Sequence, residues 1–105
     1  MTGGPFDIRY LPTAERDLVD IFEYILKDNP SAASSLLEEI DRSISQLAHH
    51  PLLGRIPKDD RLEKLGYRIL IVRKYLVFYV VKQHAIQIRR VIHGARQYAF
   101  LLRKR

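Results

Sequence analysis

The chain of 105 residues is long enough for one domain with a single modest core, and its 47% hydrophobic and 29% charged residues are ordinary for a globular protein. It contains no cysteine, which excludes disulfides and thiolate metal sites. No apolar run approaches the roughly 18 residues that a membrane helix needs. Because the N-terminus lacks an export signal, we expect a cytoplasmic protein without a membrane segment.

The charge is divided unequally along the chain. Residues 1–60 carry 11 acids and 6 bases, whereas residues 61–105 carry 12 bases and a single acid, Glu63, and together they give the net charge of +6. The basic residues lie in the part that is also richest in β-forming sequence. A basic sheet beside acidic helices predicts a negatively charged partner, which could be nucleic acid, an acidic protein, or each in turn.

The first half predicts a strand and two helices. Residues 6–11 alternate between apolar and polar, which indicates a short strand with one buried face. Thr13 is a suitable N-cap for an amphipathic helix over about 13–27, and Asn29 with Pro30 begins a second helix over about 30–49. The short connection between them predicts an antiparallel helix hairpin.

The second half predicts a loop followed by three strands. Residues 51–66 read as a loop, and strands follow at 67–72, 75–81 and 85–92, with a short terminal segment over 95–102. The order β-α-α-β-β-β predicts an α+β fold, in which an antiparallel three-stranded meander joins the N-terminal strand in a four-stranded antiparallel sheet. Strand 75–81 is apolar at odd and even positions alike, so both of its faces should be covered. The helices cover only one face, so either the terminal segment or a partner chain should cover the other.

Several segments together resemble the RelE/ParE superfamily of toxins from toxin–antitoxin pairs. They are the VIHGAR sequence at 91–96, the GYR sequence at 66–68, the strand at 75–81, the LPTAERDL opening at 11–18 and the loop at 51–57. The resemblance covers about 7–102 of a single domain over 1–105 and is closest to ParE-type members. It implies a small toxin that inhibits growth and stabilises plasmids. It also implies an acidic antitoxin whose C-terminal segment wraps the toxin in a hetero-oligomeric complex.

The resemblance leaves two mechanisms open. RelE-like toxins cut mRNA in the ribosomal A site, whereas ParE-like toxins poison DNA gyrase. Arg68 and Arg96 match basic positions of the RelE branch, but Leu70, Leu76 and Leu102 stand where that branch has a Lys, an Arg and a Tyr. These differences favour a ParE-like toxin that poisons a topoisomerase such as DNA gyrase. The alternatives are a metal-independent ribosome-dependent endoribonuclease, an inactive toxin, or a plain nucleic-acid-binding module.

A ribonuclease would need a base for the 2′-hydroxyl, cations for the phosphorane and an acid for the leaving oxygen. If the chain is a ribonuclease, the candidate catalytic residues are Arg68, His93, Arg96 and Tyr98. Two of these residues have plainer interpretations. His93 could satisfy local backbone groups at a strand end, and Arg96 could form an ion pair with Asp17 or Asp20.

Two further surfaces are predicted. The candidate contacts to a target or to nucleic acid are Arg61, Arg68, Arg73, Arg89, Arg90 and Arg96, and the candidate antitoxin contacts are Tyr75, Phe78, Tyr79 and Tyr98. On regular strands Arg68 and Arg73 would lie on opposite faces, as would Arg89 and Arg90. Tyr75 and Tyr79 share one face, where core packing competes with base stacking. We expect no cofactor and no metal site, because the adjacent His49 and His50 diverge on a helix.

Overall fold

The chain forms a four-stranded sheet with a helix hairpin on one face, described for residues 5–94 by a computed structural model. The elements are β1 (Asp7–Tyr10), α1 (Pro12–Leu26), α2 (Pro30–Ser45) followed by a 3₁₀ turn (Gln46–Ala48), α3 (Asp60–Lys64), β2 (Tyr67–Val72), β3 (Tyr75–Lys82) and β4 (Ala85–His93). The predicted α+β class and the strand and hairpin order are confirmed. The short helix α3 is an addition within the segment expected to be a loop.

The strands lie in the order β1-β4-β3-β2. The meander β2-β3-β4 is antiparallel as predicted, but β1 pairs with β4 in parallel, with Arg9 opposite Gln87. The expectation of a fully antiparallel sheet was therefore wrong. Alternation of polar and apolar residues identifies the buried face of a lone strand, but it does not determine the strand's direction.

The two long helices begin differently from one another. Asn29 is the N-cap of α2, as predicted, and its side chain accepts a hydrogen bond from the Ala32 amide at 3.1 Å. Thr13, however, is not the N-cap of α1, because the helix already begins at Pro12, which suits the first helical position. The Thr13 hydroxyl instead donates to the Arg89 carbonyl at 2.8 Å and so joins α1 to β4.

Apolar side chains cover both faces of the sheet. Between the sheet and the hairpin lie fully buried residues from both layers, among them Ala14, Ile40, Ile44, Leu47, Val77, Tyr79, Ile86 and Ile88. On the other face Leu62 of α3 is fully buried against a second cluster, formed by Tyr67, Ile69, Phe78, Val80 and Ile92. Cover for the second face of β3 therefore comes at least in part from the 51–66 segment, a source that the sequence did not suggest. The terminal segment over 95–102 lies outside the described residues.

Candidate functional site

The loop between α2 and α3 is attached to the sheet by the side chain of Tyr79. The Tyr79 hydroxyl donates to the Pro51 carbonyl and accepts from the Gly54 amide, both at 2.8 Å. Burial raises the pKa of this hydroxyl, which keeps it in the protonated form that can donate. Gly54 itself has no room for a side chain, because a Cβ there would lie 2.8 Å from the Ile69 carbonyl.

Arg68 attaches the same loop from the neighbouring strand. Its guanidinium donates to the Gly54 carbonyl at 2.7 Å and to the Leu52 carbonyl at 3.3 Å. Arg55 and Ile69 also exchange two backbone hydrogen bonds of 2.9 Å. We call residues 51–57 the anchored loop. Arg68, predicted as a catalytic and target-binding cation, thus lies in a structural contact.

The anchored loop exposes large apolar side chains although its backbone is fixed. Leu52, Leu53 and Ile56 are 64%, 50% and 48% exposed. Exposed apolar groups on a fixed backbone bind a partner with little further loss of conformational entropy. The loop is therefore a suitable contact surface for another protein.

Arg73 lies at the β2–β3 turn, outside the strand. Its φ of 55° places it in the left-handed region, and its Nε donates to the Glu39 carboxylate of α2 at 2.8 Å. Arg68 pairs with Tyr79, whose ring packs on the hairpin side of the sheet. Arg68 therefore projects to the hairpin side, and Arg73 also reaches the hairpin through Glu39. The expectation that the two arginines lie on opposite faces is wrong, because the regular strand ends at Val72.

Arg90 is bound to α1 by a bidentate ion pair. Its Nε and Nη2 donate to the two carboxylate oxygens of Asp17 at 2.8 and 3.0 Å, and the Val91 amide donates to the same carboxylate at 2.8 Å. The hydrogen-bonded Asp17 raises the pKa of the Arg90 guanidinium. Because β1 pairs with β4 only as far as Ile88, Asp17 supplies an acceptor to β4 beyond the end of β1. The carboxylate that we considered as a partner for Arg96 thus binds Arg90.

Arg89 has a different environment, although it is the neighbour of Arg90. The β3–β4 register shifts between Phe78 and Tyr79, and this shift leaves Arg89 without a directly paired residue. Its guanidinium lies 5.6 Å from the centre of the Tyr67 ring, and its Nη2 donates to Gln87 Oε1 at 2.9 Å. The expectation that Arg89 and Arg90 lie on opposite faces is wrong, because the shift places both on the α3 side: Arg90 is paired with Phe78 and Arg89 lies over Tyr67, and both aromatic residues belong to the cluster under α3. Both arginines are half-buried, so neither is simply solvated.

His93 and Tyr75 lie at the other end of the meander. They are paired residues of β4 and β3, and their rings meet edge to face with centroids 5.4 Å apart. Both line a cleft of about 580 Å³ between α1 and β4, together with Tyr24, Lys74 and Arg90. Tyr75 is half-buried, so it retains surface for a partner.

Of the candidate ribonuclease residues, Arg68 and His93 lie within residues 5–94, and the structure does not bring these two together. His93 is opposite Tyr75 and Arg68 is opposite Tyr79, so they are four residues apart along β3 and on different strands. This separation is about 13 Å along the strands and about 10 Å across them. Leu70 packs in the hairpin-side core and Leu76 packs against the opposite cluster, so these two positions do not share a face either.

The remaining predicted site residues divide into three groups. Arg61 is exposed on α3, where it remains accessible to a target. Arg96 and Tyr98 lie outside the described residues. Phe78 and Tyr79 are fully buried, so in this structure their side chains offer no surface to an antitoxin, and the prediction for these two residues is corrected.

The helix hairpin has its own exposed apolar residues. Val19, Tyr24 and Leu26 on α1 are 53%, 73% and 40% exposed. A groove of about 320 Å³ runs between the helices, with an apolar wall that includes Leu18 and Leu37. Sequence periodicity showed the buried stripe of each helix but did not identify these outward residues as a surface.

Sequence reasoning considered Asp17 as a partner for Arg96, but it missed the pairing of Asp17 with Arg90 and of Glu39 with Arg73. Asp17 and Glu39 lie on helices, far along the chain from Arg90 and Arg73. Their only signal was general, because the acids are concentrated in the helical half and the bases in the sheet half. The pairing itself follows from the packing of the hairpin on the sheet.

Two classes of site find no support among residues 5–94. No three His, Asp or Glu side chains of this part of the chain are placed to hold a metal ion. None of its helices combines the length and hydropathy needed to cross a membrane.

Comparison with known sequences identifies the family. The sequence model described as "ParE toxin of type II toxin-antitoxin system, parDE" matches residues 8–98. The chain belongs to the ParE toxin family. A curated relative from Sinorhizobium fredii, named "Putative toxin Y4kP", is 30% identical over 95 residues, which cover 90% of this chain and 95% of the relative.

Solved structures show the same fold as this ParE-family chain. One, described as the chromosomal ParDE toxin–antitoxin system from P. aeruginosa, has a TM-score of 0.71 and 20% identity, covering 84% of this chain and 95% of that chain. Another, the RelBE2 toxin–antitoxin complex from Mycobacterium tuberculosis, has a TM-score of 0.58 and 24% identity, covering 85% of this chain and 98% of that chain. The family match and the curated relative, together with this shared fold, confirm the predicted membership of the RelE/ParE superfamily.

Proposed function

We propose that this toxin of a type II toxin–antitoxin system inhibits growth in the cytoplasm by binding and poisoning a topoisomerase such as DNA gyrase. The observation that carries the proposal is the position of Arg68, the described cation that matches the RelE-type site. Its guanidinium binds the carbonyls of Leu52 and Gly54, and the matched positions Leu70 and Leu76 are apolar and lie on opposite faces. A metal-free ribonuclease needs its cations to converge on one phosphate.

The surface available for a target protein fits this proposal. The anchored loop exposes Leu52, Leu53 and Ile56 on a fixed backbone, with the exposed cations Arg55, Lys58 and Arg61 nearby. A target with apolar and acidic groups would match it. Inhibition by binding requires such a surface and does not require a catalytic constellation.

Inducible expression in a bacterial host tests the proposal directly. In the first minutes after induction we expect growth arrest, intact mRNA and plasmid DNA that is cleaved or altered in supercoiling. Cleavage of mRNA inside translated codons would instead establish the ribonuclease alternative. Growth without arrest would indicate an inactive toxin or a passive nucleic-acid binder.

A pair of variants sharpens this experiment. The double substitution Leu53→Ser and Ile56→Ser removes exposed apolar groups and should reduce inhibition of purified gyrase. Lys27→Gln, at an exposed position after α1, is the matched control and should retain inhibition. If the double variant inhibits gyrase as well as the control does, the target surface lies elsewhere.

The same proposal includes a cognate antitoxin with an acidic C-terminal segment. The two similar structures are described as a toxin–antitoxin system and a toxin–antitoxin complex, which supports such a partner. The exposed Val19 and Leu26 of α1 and the half-buried Tyr75 offer apolar contact area, while the acids of the partner would face the basic sheet half. Affinity should fall as salt rises from about 0.05 M to about 0.5 M. A complex insensitive to salt would show that apolar burial dominates.

A further inference from the structure

A polar cleft of about 490 Å³ opens where the β3–β4 turn meets β1. Arg9 lies directly opposite Gln87 across the β1–β4 pair, and Lys82 lies opposite Ala85 across the β3–β4 pair. All four residues line the cleft. Because β1 and β3 flank β4, a cation stands on each side of β4, and the two backbone positions are about 10 Å apart across the strands and about 7 Å apart along them.

The cleft faces away from the helix hairpin. Gln87 is paired on its other side with Val80, and Val80 belongs to the apolar cluster under α3. Residues directly paired across strands project to the same face of a sheet. The cleft is therefore remote from the exposed residues of α1, and it is at the opposite end of the meander from Tyr75 and His93.

Ala85 forms the floor of the cleft. It lies between Asp7 on β1 and Lys82 on β3, with which it is paired on either side. Its methyl group leaves a depression between two longer side chains. A larger residue at this position would fill the space without changing any charge.

Arg89 determines which way the Gln87 amide points. Its Nη2 donates to the Gln87 side chain at 2.9 Å. An arginine has donors only, so the atom of Gln87 that faces it must be the carbonyl oxygen. The NH₂ group of Gln87 is then directed away from Arg89 and is available to donate to an anion. The Arg89 charge also adds to the positive potential of this face.

The charges of the cleft favour an anion. Lys82 is exposed and forms no ion pair within residues 5–94, and the Arg9 guanidinium is only 3.6 Å from Asp7, with both side chains 66% exposed. Such an open pair contributes little and can exchange partners. Among residues 5–94, Asp7 is the only carboxylate that lines the cleft, and His84 is the other titratable residue there besides Arg9 and Lys82.

We infer that this cleft, the anion cradle of Arg9, Lys82 and Gln87, binds the phosphate groups of a nucleic-acid backbone. Arginine, lysine and amide donors are the usual phosphate contacts. Two cations on separate strands suit a chain of phosphates better than a single small anion. This inference goes beyond the proposed action on a topoisomerase.

Binding of the full chain to a short fluorescein-labelled single-stranded DNA, followed by anisotropy, tests the inference. Arg9→Gln and Lys82→Gln should each weaken binding about threefold to tenfold and lower the slope of log affinity against log salt by about 0.7. Lys27→Gln makes the same change in net charge outside the cradle and should change affinity less than twofold. If all three variants lose affinity equally, only the net charge matters and the cradle is not a site.

Two further variants change the cradle in opposite directions. Asp7→Asn removes the opposing carboxylate and should strengthen DNA binding about threefold, whereas Ala85→Leu fills the floor and should weaken it at constant charge. Circular dichroism and the unfolding midpoint establish that each variant is folded. Wild-type affinity in both folded variants would overturn the inference.

A competition experiment distinguishes nucleic acid from an acidic polypeptide. Unlabelled DNA of the same sequence should displace the probe, and poly-glutamate with an equal number of charges should compete at least tenfold less well. Equal competition, with poly-glutamate binding also sensitive to Lys82→Gln, would identify the cradle as a peptide site and overturn the inference. The assay contains no topoisomerase, so its outcome does not depend on the proposed function.

Discussion

Asp17 on α1 accepts two hydrogen bonds from the Arg90 guanidinium, at 2.8 and 3.0 Å, and so joins the first helix to the last strand. The same carboxylate accepts the Val91 amide of β4. The side chains of Asp17 and Arg90 are only 14% and 26% exposed, so water screens this ion pair less than it screens the other ion pairs of residues 5–94. Asp17 thus takes the place of a neighbouring strand beyond the end of β1.

Asp17→Ala should lower the free energy of unfolding by about 2–3 kcal/mol, because it leaves both the Arg90 guanidinium and the Val91 amide without their acceptor. Chemical denaturation measures this loss. Asp20→Ala, an exposed acid on the same helix, is the control and should remain within about 0.5 kcal/mol of the wild type. A double-mutant cycle with Arg90→Met should give a coupling energy above about 1 kcal/mol. Equal effects of the two aspartate substitutions would contradict the assignment.

Tyr79→Phe should loosen the anchored loop. The substitution removes the hydroxyl that serves both the Pro51 carbonyl and the Gly54 amide, at a cost of about 1–3 kcal/mol in unfolding free energy. Hydrogen exchange at the Gly54 amide should become faster by a larger factor than exchange in the α2 core. Tyr24→Phe, at a position 73% exposed, should change neither measurement. An unchanged Gly54 exchange rate would show that Arg68 and the Arg55–Ile69 bonds suffice to hold the loop.

Gly54→Ala should destabilise the protein by a steric effect. The new Cβ would lie 2.8 Å from the Ile69 carbonyl and from the Tyr79 ring, and a backbone atom cannot move aside cheaply. We expect a loss of about 2–3 kcal/mol in unfolding free energy. Gly66→Ala is the comparison, because its nearest neighbour is 3.7 Å away and its cost of about 1–2 kcal/mol comes from its positive φ of 86°. A larger loss at Gly66 than at Gly54 would refute the steric explanation.

The sequence predicted the two long helices and the four strands because each has a local signal. The Asn29–Pro30 pair determined where α2 begins, and the tight turns at 73–74 and 83–84 separated the three strands of the meander. Helix α3 has only five residues, too few for periodicity to show, and its one buried residue, Leu62, packs against distant strands. The parallel direction of β1 likewise depends on tertiary pairing.

The candidate site was harder to predict because tertiary packing determines which partner each arginine binds. Arg68, Arg73 and Arg90 read as free cations in the sequence, yet they bind loop carbonyls, Glu39 and Asp17. Phe78 and Tyr79 read as possible surface aromatics. Their strand is apolar at odd and even positions alike, so its sequence does not show which face is exposed to a partner. Contacts between residues that are distant in the sequence decide which arginines are paired and which aromatic residues are buried, and a single sequence does not show these contacts.

Alkaline pH should destabilise the protein through Tyr10 and Tyr79. Burial, together with the Asp41 carboxylate that accepts its hydrogen bond, raises the pKa of Tyr10, and burial raises the pKa of Tyr79. A tyrosine in the unfolded chain ionises near pH 10, so above about pH 10 the unfolded state loses protons that the folded state retains. The stabilisation is complete below that pH and declines as pH rises towards the folded-state pKa values.

Urea denaturation at intervals from about pH 8 to about pH 11 measures this decline. Tyr10→Phe should make the curve of unfolding free energy against pH less steep above about pH 10, while costing about 1 kcal/mol at neutral pH through the lost bond to Asp41. Tyr24→Phe, which removes an exposed phenol, should leave the wild-type curve unchanged. If Tyr10→Phe and Tyr24→Phe give curves of the same slope, the Tyr10 proton does not contribute to stability in this range.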